Sequence, residues 1–189
     1  MSDMVTDSFD KKLAEEVMKQ GAHKAAVLPV SEITLEAEFR RLCESNACGN
    51  YGRCWMCPPD AGDIETLMQE IGTYDKALVY QTIGTLEDSY DIEGMEAAAG
   101  IHNSLSQRLR ALFKGDDFAK VLHLGAGGCR LCPVCAKVDN LPCRHPDLAI
   151  SSLETYGINV SKLAAACGMR YINGQNTVTY FGAVFYSTK

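Results

Sequence analysis

The sequence has few of the features that mark membrane, secreted or nucleic-acid-binding proteins. No stretch approaches the ~20 consecutive apolar residues that a membrane-spanning helix needs. The first residues, MSDMVTDSFDKK, lack the apolar core of a secretory signal, so we expect a cytoplasmic protein. The 18 Lys and Arg against 24 Asp and Glu give a net charge of −6, which is unfavourable for binding phosphates. We expect neither a membrane nor a nucleic-acid partner.

The sequence also lacks the common signatures of hydrolases and nucleotide-binding enzymes. It has no H-E-x-x-H motif, no dinucleotide fingerprint and no Ser-His-Asp order that fits the predicted elements. The glycine-rich run at 125–128 lacks the Lys and Ser/Thr of a phosphate-binding loop. Internal repeats, low-complexity segments and linkers are absent too, so we expect a single domain over residues 1–189.

Cysteine, by contrast, is abundant. Eight of the nine cysteines fall into two groups of four, and Cys167 stands apart on the apolar face of a predicted helix. Clustered cysteines in a cytosolic chain bind metal more often than they form disulfides. The first cysteine group, in the loop 43–59, comprises Cys43, Cys48, Cys54 and Cys57; the second cysteine group, in the loop 127–146, comprises Cys129, Cys132, Cys135 and Cys143.

The spacing of the second cysteine group favours an iron–sulfur cluster. Cys129, Cys132 and Cys135 match the C-x2-C-x2-C part of the bacterial ferredoxin run, and Cys143 follows after seven more residues. That longer spacer departs from the ferredoxin run and argues against a ferredoxin fold. Structural zinc is the alternative, although it usually takes its ligands as two separated C-x2-C pairs. Arg144 would offset the negative charge of a thiolate-bound cluster, or it is an ordinary surface residue.

The first cysteine group is less diagnostic. Its C-x4-C-x5-C-x2-C spacing suits either a second [4Fe-4S] cluster or zinc. Cys54 lies one residue before Trp55, so it is either a ligand or a packed thiol, and Trp55 either shields a cluster or anchors the loop. A ligand traded between the two groups is a further possibility, because ferredoxin loops exchange ligands in this way.

Hydrophobic periodicity predicts an α/β fold with a mixed, partly parallel sheet flanked by helices. Strands are expected at 24–30, 76–83 and 119–124, joined by parallel crossovers. Helices are expected at 7–20, from residue 34, around 64–71, at 89–114 and at 159–167. The tail 169–187 is expected to form a β-hairpin with its turn at Asn173-Gly174. In such sheets, sites form beyond the carboxyl ends of the strands, so both cysteine loops should lie at one end.

The two cysteine stretches resemble a family of small "predicted metal-binding proteins" from anaerobic bacteria and archaea. The matching stretches are CGNYGRCWMCPP at 48–59 and GGCRLCPVCA with PCRHP at 127–146, and weaker matches continue through SSLETYGINV and VTYFGAVFY. The resemblance implies metal binding through these cysteines, as iron–sulfur clusters. Cys54 departs from the family pattern, which leaves the ligand set of the first cysteine group open.

Three functional hypotheses follow from the sequence. The first is an iron–sulfur protein with two [4Fe-4S] clusters that exchanges electrons with a redox partner protein, whose docking patch would be basic. The second is an enzyme that reduces a small molecule, or a bound corrinoid or flavin, at a cluster with one open iron. In that enzyme Cys54 would not be a ligand. The third is a zinc-stabilised binding module.

Overall fold

The computed structural model describes residues 2–189, with side chains from Ser8 onward. Five strands and five α-helices form its regular structure. The strands are β1 (Lys24–Pro29), β2 (Lys76–Thr85), β3 (Phe118–Gly125), β4 (Ser151–Ser152) and β5 (Thr177–Thr188). The helices are α1 (Ser2–Lys19), α2 (Phe39–Glu44), α3 (Ile64–Ile71), α4 (Ile92–Leu109) and α5 (Val160–Ala166).

The strands form one mixed sheet in the order β1-β2-β5-β3-β4, which confirms the predicted fold class. Of the two predicted parallel crossovers, the one from β1 to β2 is wrong, whereas β2 and β3 do run in the same direction, on either side of β5. β1 pairs with β2 in antiparallel fashion, and only the short β3–β4 pair is parallel. The alternation of strands and helices could not reveal this, because β1 and β2 pair directly although a long connection separates them. That connection carries the first cysteine group.

The tail forms one long strand, so the predicted C-terminal hairpin is also wrong. β5 inserts between β2 and β3 and runs antiparallel to both, with Gly182 opposite Tyr80 and Ala183 opposite Leu124. Asn173 and Gly174 lie in the connection that precedes β5, and the Asn173 side chain donates hydrogen bonds to Arg170 O and Thr179 Oγ1. The tail is therefore the centre of the sheet, and both of its edges are paired.

Each face of the sheet is covered by a separate apolar layer. On one face, α1 and α4 pack against Leu78, Tyr80 and Val184. On the other face, α3, α5 and the turn at Glu154–Tyr156 pack against Val79, Ala183 and their neighbours. Burial of both faces removes the apolar residues of the strands from water, which is the main stabilising term of such a fold.

Three helices, α3, α4 and α5, begin where the sequence supplies a capping side chain. Asp63 accepts a hydrogen bond from Thr66 N at the start of α3, and Asp91 accepts one from Gly94 N at the start of α4. The helix expected from residue 34 begins only at Phe39, and Cys43 lies in its last turn. Across residues 2–189, none of the helices has the length and hydropathy needed to cross a bilayer.

The two cysteine loops meet for a reason other than the predicted one. The carboxyl end of β1 is paired with the start of β2, whereas β3 is paired with β5 and ends opposite the middle of that strand. The chain after β1 returns across the face of the sheet, held by a bridge between Leu35 and Ile158 and by a hydrogen bond from Glu36 N to Gly157 O. This return brings the first cysteine group to the exit of β3.

Acid is expected to destabilise the fold through His102, which lies on the buried face of α4. Its Nδ1 is 2.9 Å from Thr82 Oγ1, and burial lowers the pKa of His102 to about 4. The pKa of His102 in the folded protein lies below its ordinary value of about 6.5. At any pH between these two pKa values, the unfolded chain therefore binds more protons than the folded protein does. Neutral His102 therefore contributes on the order of 2–3 kcal/mol to the free energy of unfolding. This contribution is complete above pH 6.5 and is lost as the pH falls towards 4.

Urea unfolding at several pH values tests this expectation. The His102→Gln variant cannot be protonated, so its free energy of unfolding should depend less on pH between 6.5 and 4 than that of the wild type. His23 is exposed, and His23→Gln is the matched control that should keep the wild-type slope. Equal slopes for His102→Gln and the wild type would contradict the assignment.

Candidate metal centre

The second cysteine group lines a cavity at the exit of β3. The cavity has a volume of about 350 Å³, including the part open to solvent. The chain leaves β3 at Gly125 and passes through the glycines to Cys129, and the loop returns to the sheet at β4. Five cysteines line the cavity rather than the four of the second cysteine group: Cys54, Cys129, Cys132, Cys135 and Cys143.

Backbone amides point at the sulfur atoms of this cavity. The N–H groups of Leu131 and Ile150 donate hydrogen bonds to Cys129 Sγ, and those of Met56 and Cys129 donate to Cys54 Sγ. Burial raises the pKa of Cys129, and its two amide donors oppose that increase. Amide donors of this kind stabilise a thiolate and tune a metal core that the thiolate holds.

Cys54 lies between the two groups. It is 3% exposed, and its sulfur is within hydrogen-bonding reach of both Cys57 and Cys135. The hydrogen bond from Cys57 lowers the pKa of Cys54 to about 6, and the same bond raises the pKa of Cys57. A proton that is shared in this way leaves the negative charge on Cys54, where the two backbone amides stabilise it.

The rest of the first cysteine group lies nearer the surface. Cys43 is half-buried in the last turn of α2, and Cys48 is exposed in the turn that follows. Cys57 is buried, and the interaction with the Cys54 side chain, burial and the charges of Cys54, Cys48 and Cys43 all raise the pKa of its thiol. Burial also raises the pKa of Cys43, while Arg40 opposes the increase.

Side chains outside the cysteine motifs join the two loops. Trp55 Nε1 donates a hydrogen bond of 2.9 Å to Leu141 O. Lys137 Nζ is 2.5 Å from Asp60 Oδ1 and lies 4.4 Å from the centre of the Trp55 ring. These contacts fix the relative positions of the two cysteine groups. They also show that Trp55 anchors its loop to the second one, which is one of the two roles expected for it.

The loops also touch at Gly128. A Cβ atom at this position would lie 2.9 Å from the Asn50 side-chain nitrogen, so glycine allows the Asn50 side chain to approach closely here. Asn50 and the Asp60–Lys137 pair were missed by the sequence reasoning. No local sequence pattern marks these residues, because each contacts a partner that is far away in the chain.

The structure brings most of the predicted site residues together. All four members of the second cysteine group line one cavity with Cys54, and Arg144 and His145 lie in its wall. Arg144 Nη1 also donates a hydrogen bond to Val134 O, within the same loop. Among residues 2–189, no three or more His, Cys, Asp or Glu side chains have the close geometry of a site for a single metal ion. Cys167 packs against the core on the α5 face, apart from both groups.

The fold and the site define an α/β protein that carries a thiol-lined cavity at the exit of β3. Residues 26–186 match the model of the family described as "Predicted metal-binding protein (DUF2284)". The chain belongs to this family, which confirms the resemblance inferred from its cysteine stretches. No curated protein and no solved structure matches the chain.

Proposed function

We propose that the chain, acting as one domain, binds two [4Fe-4S] clusters through its eight grouped cysteines and transfers electrons to or from a redox partner protein. The observation that carries the proposal is the cavity lined by five cysteines, with backbone amides directed at two of their sulfurs. When bound, an iron–sulfur cluster supplies one-electron oxidation and reduction.

The donor set of the cavity suits a cluster. Thiolate sulfur is a soft ligand, and it is the ligand that iron–sulfur clusters take in proteins. The consecutive triple Cys129, Cys132 and Cys135 differs from the paired C-x2-C units of structural zinc. Arg144, in the wall of the cavity, would offset part of the negative charge of a thiolate-bound core. These features favour the cluster over the zinc alternative.

Contact between the two groups supports electron transfer as the role. Cys54, a member of the first cysteine group, lines the same cavity as the four members of the second cysteine group. Two metal cores held on either side of this contact would be near neighbours within one protein. The net charge of −6 favours a partner that presents a basic patch, and a cytoplasmic location would keep the thiols reduced.

The metal content of anaerobically purified protein tests the proposal. We expect a brown protein with about eight irons and eight acid-labile sulfides per chain, because each of two [4Fe-4S] clusters contributes four of each. Zinc should be measured in the same sample. A colourless protein that contains zinc and no sulfide would contradict the proposal and favour a zinc-stabilised binding module.

A further inference from the structure

A second cavity lies between β3 and the short turn Arg110–Phe113 that follows α4. It has a volume of about 520 Å³, including the part open to solvent, and its walls are formed by residues outside the two cysteine groups. The lining side chains are Arg110, Phe113, Lys114, Val121, His123 and Val184. Half of them carry nitrogen donors and the other half are apolar, so the cavity is amphipathic.

The polar wall contains two buried nitrogen atoms that lack a hydrogen-bonding partner. Within the part of the chain whose side chains are described, neither Arg110 Nε nor His123 Nδ1 has one. Arg110 Nη2 donates to Asp147 O, but none of the ion pairs between these described side chains includes Arg110. Buried polar groups without partners are costly, so these two nitrogens favour a bound group in the cavity.

The cavity is positively charged at neutral pH. Arg110 is always protonated, and Lys114 is an exposed cation at the rim. His123 is neutral, because burial and, next, the charge of Arg110 lower its pKa to about 3. Two cations beside a neutral imidazole suit an anion whose oxygen atoms accept hydrogen bonds.

The buried contacts of His123 allow it to donate into the cavity. When Nδ1 carries the imidazole proton, Nε2 accepts from Tyr80 Oη, 2.7 Å away. Tyr80 Oη then accepts from Ser106 Oγ, 2.6 Å away, and Ser106 gives up its alternative bond to His102 O. The chain from Ser106 through Tyr80 to His123 therefore has one consistent set of donors and acceptors with Nδ1–H facing a ligand.

The rest of the wall is apolar. Phe113 and Val184 are buried, whereas Val121 is partly exposed. Apolar surface beside a cluster of donors favours a ligand that carries a short hydrocarbon part next to its charge. An aliphatic carboxylate matches both walls, whereas inorganic phosphate matches only the basic one.

We propose that this cavity binds a small aliphatic carboxylate, whose oxygens accept hydrogen bonds from Arg110 and His123 and whose tail packs against the apolar wall. Lys114 adds a second positive charge at the rim. The site goes beyond the proposed function and requires no metal core. Arg110 also contacts the backbone of Asp147, directly after the loop of the second cysteine group, so ligand and loop share one guanidinium.

Isothermal titration calorimetry of the anaerobically purified protein with sodium butyrate tests the site. We expect a dissociation constant on the order of 1 mM, the range for a ligand of this size. Butyramide has the same shape without the charge and should bind about tenfold more weakly. Inorganic phosphate should also bind more weakly than butyrate, because it has no apolar part. No binding of butyrate, equal binding of butyramide, or tighter binding of phosphate would each overturn the proposal.

Variants then locate the binding site. Arg110→Gln is expected to weaken butyrate binding by about tenfold, and Lys114→Gln by a smaller factor. Arg108→Gln is the matched control, because Arg108 also donates through Nη2 to a backbone carbonyl, that of Gln20, but lies outside the cavity. Wild-type affinity in folded Arg110→Gln or Lys114→Gln, or an equal loss in Arg108→Gln, would overturn the proposal.

Two features keep this test decisive. Lys114 is exposed, so Lys114→Gln should fold even if the loss of the Arg110 contact with Asp147 unfolds Arg110→Gln. The titration reads butyrate binding and not metal content. A protein that lacks iron would therefore contradict the proposed function and leave the carboxylate site to be decided by the titration.

Discussion

Replacing Cys129 with Ser is expected to halve the metal content, from about eight irons and eight sulfides per chain to about four of each. Cys129 lines the cavity, and its sulfur receives two backbone hydrogen bonds, from Leu131 and Ile150. A serine hydroxyl is a harder and less acidic donor than a thiol, so it binds the iron of a cluster poorly. The first cysteine group should keep its core, because Cys129 is not among its members.

Chemical analysis of iron and sulfide, with the absorption spectrum of the oxidised protein, measures this loss. Cys167→Ser is the matched control, because Cys167 packs against the core apart from both groups and should leave the metal content unchanged. Far-ultraviolet circular dichroism of both variants establishes that the fold is retained. A Cys129→Ser protein that is folded and keeps all of its iron would show that the core does not require this cysteine, since Cys54 and the other three thiols of the cavity would then suffice.

Local sequence patterns predicted the elements of the fold well. The strands β1, β2 and β3 lie within two residues of their predicted bounds, since buried apolar runs between turn residues are typical of strands. Capping residues such as Asp63 and Asn159 mark the starts of α3 and α5. These features depend on neighbouring residues alone, so one sequence is enough to find them.

Strand pairing could not be predicted in the same way. β5 carries the continuous apolar run of a strand buried on both faces. From the sequence alone, a hairpin with the segment just before it was the simplest pairing. Its actual partners, β2 and β3, lie far back in the chain, and β3 ends more than 50 residues before β5 begins. The direction of each strand is set by long-range pairing of this kind, which is why the predicted parallel crossover from β1 to β2 failed, whereas the one from β2 to β3 is present.

The same limit applies to the candidate site. The cysteine spacing identified the eight candidate ligands, because the triple Cys129, Cys132 and Cys135 is unusual in itself. Spacing assigned Cys54 to the first cysteine group, yet its sulfur lies in the cavity of the second. The return of the chain across the sheet and the close approach of Asn50 to Gly128 produce this arrangement. Both are tertiary contacts with no local signal.

Gly182→Ala is expected to destabilise the fold by roughly 3–5 kcal/mol, since it overpacks the core and disrupts buried hydrogen bonds. Gly182 lies opposite Tyr80 on the central strands, and the Tyr80 ring covers it. A Cβ atom at Gly182 would be 2.3 Å from Tyr80 Oη and 2.4 Å from Tyr80 Cζ. Tyr80 is fully buried, and its hydroxyl is 2.6 Å from Ser106 Oγ and 2.7 Å from His123 Nε2. The ring can move away only by losing these partners, and the two paired strands hold the backbone in place.

Urea unfolding of Gly182→Ala and Gly100→Ala separates this steric effect from the general effect of replacing glycine. Gly100 lies within α4, and a Cβ atom there meets nothing within 4 Å. Alanine in a helix is more favourable than glycine, so Gly100→Ala should stabilise the protein by about 0.5–1 kcal/mol. The two substitutions add the same methyl group. We expect opposite changes in the free energy of unfolding, because only the methyl group at residue 182 meets a buried ring. If Gly182→Ala unfolded at the wild-type urea concentration, Tyr80 would have to be mobile, and the buried contacts with Ser106 and His123 could not hold it as described.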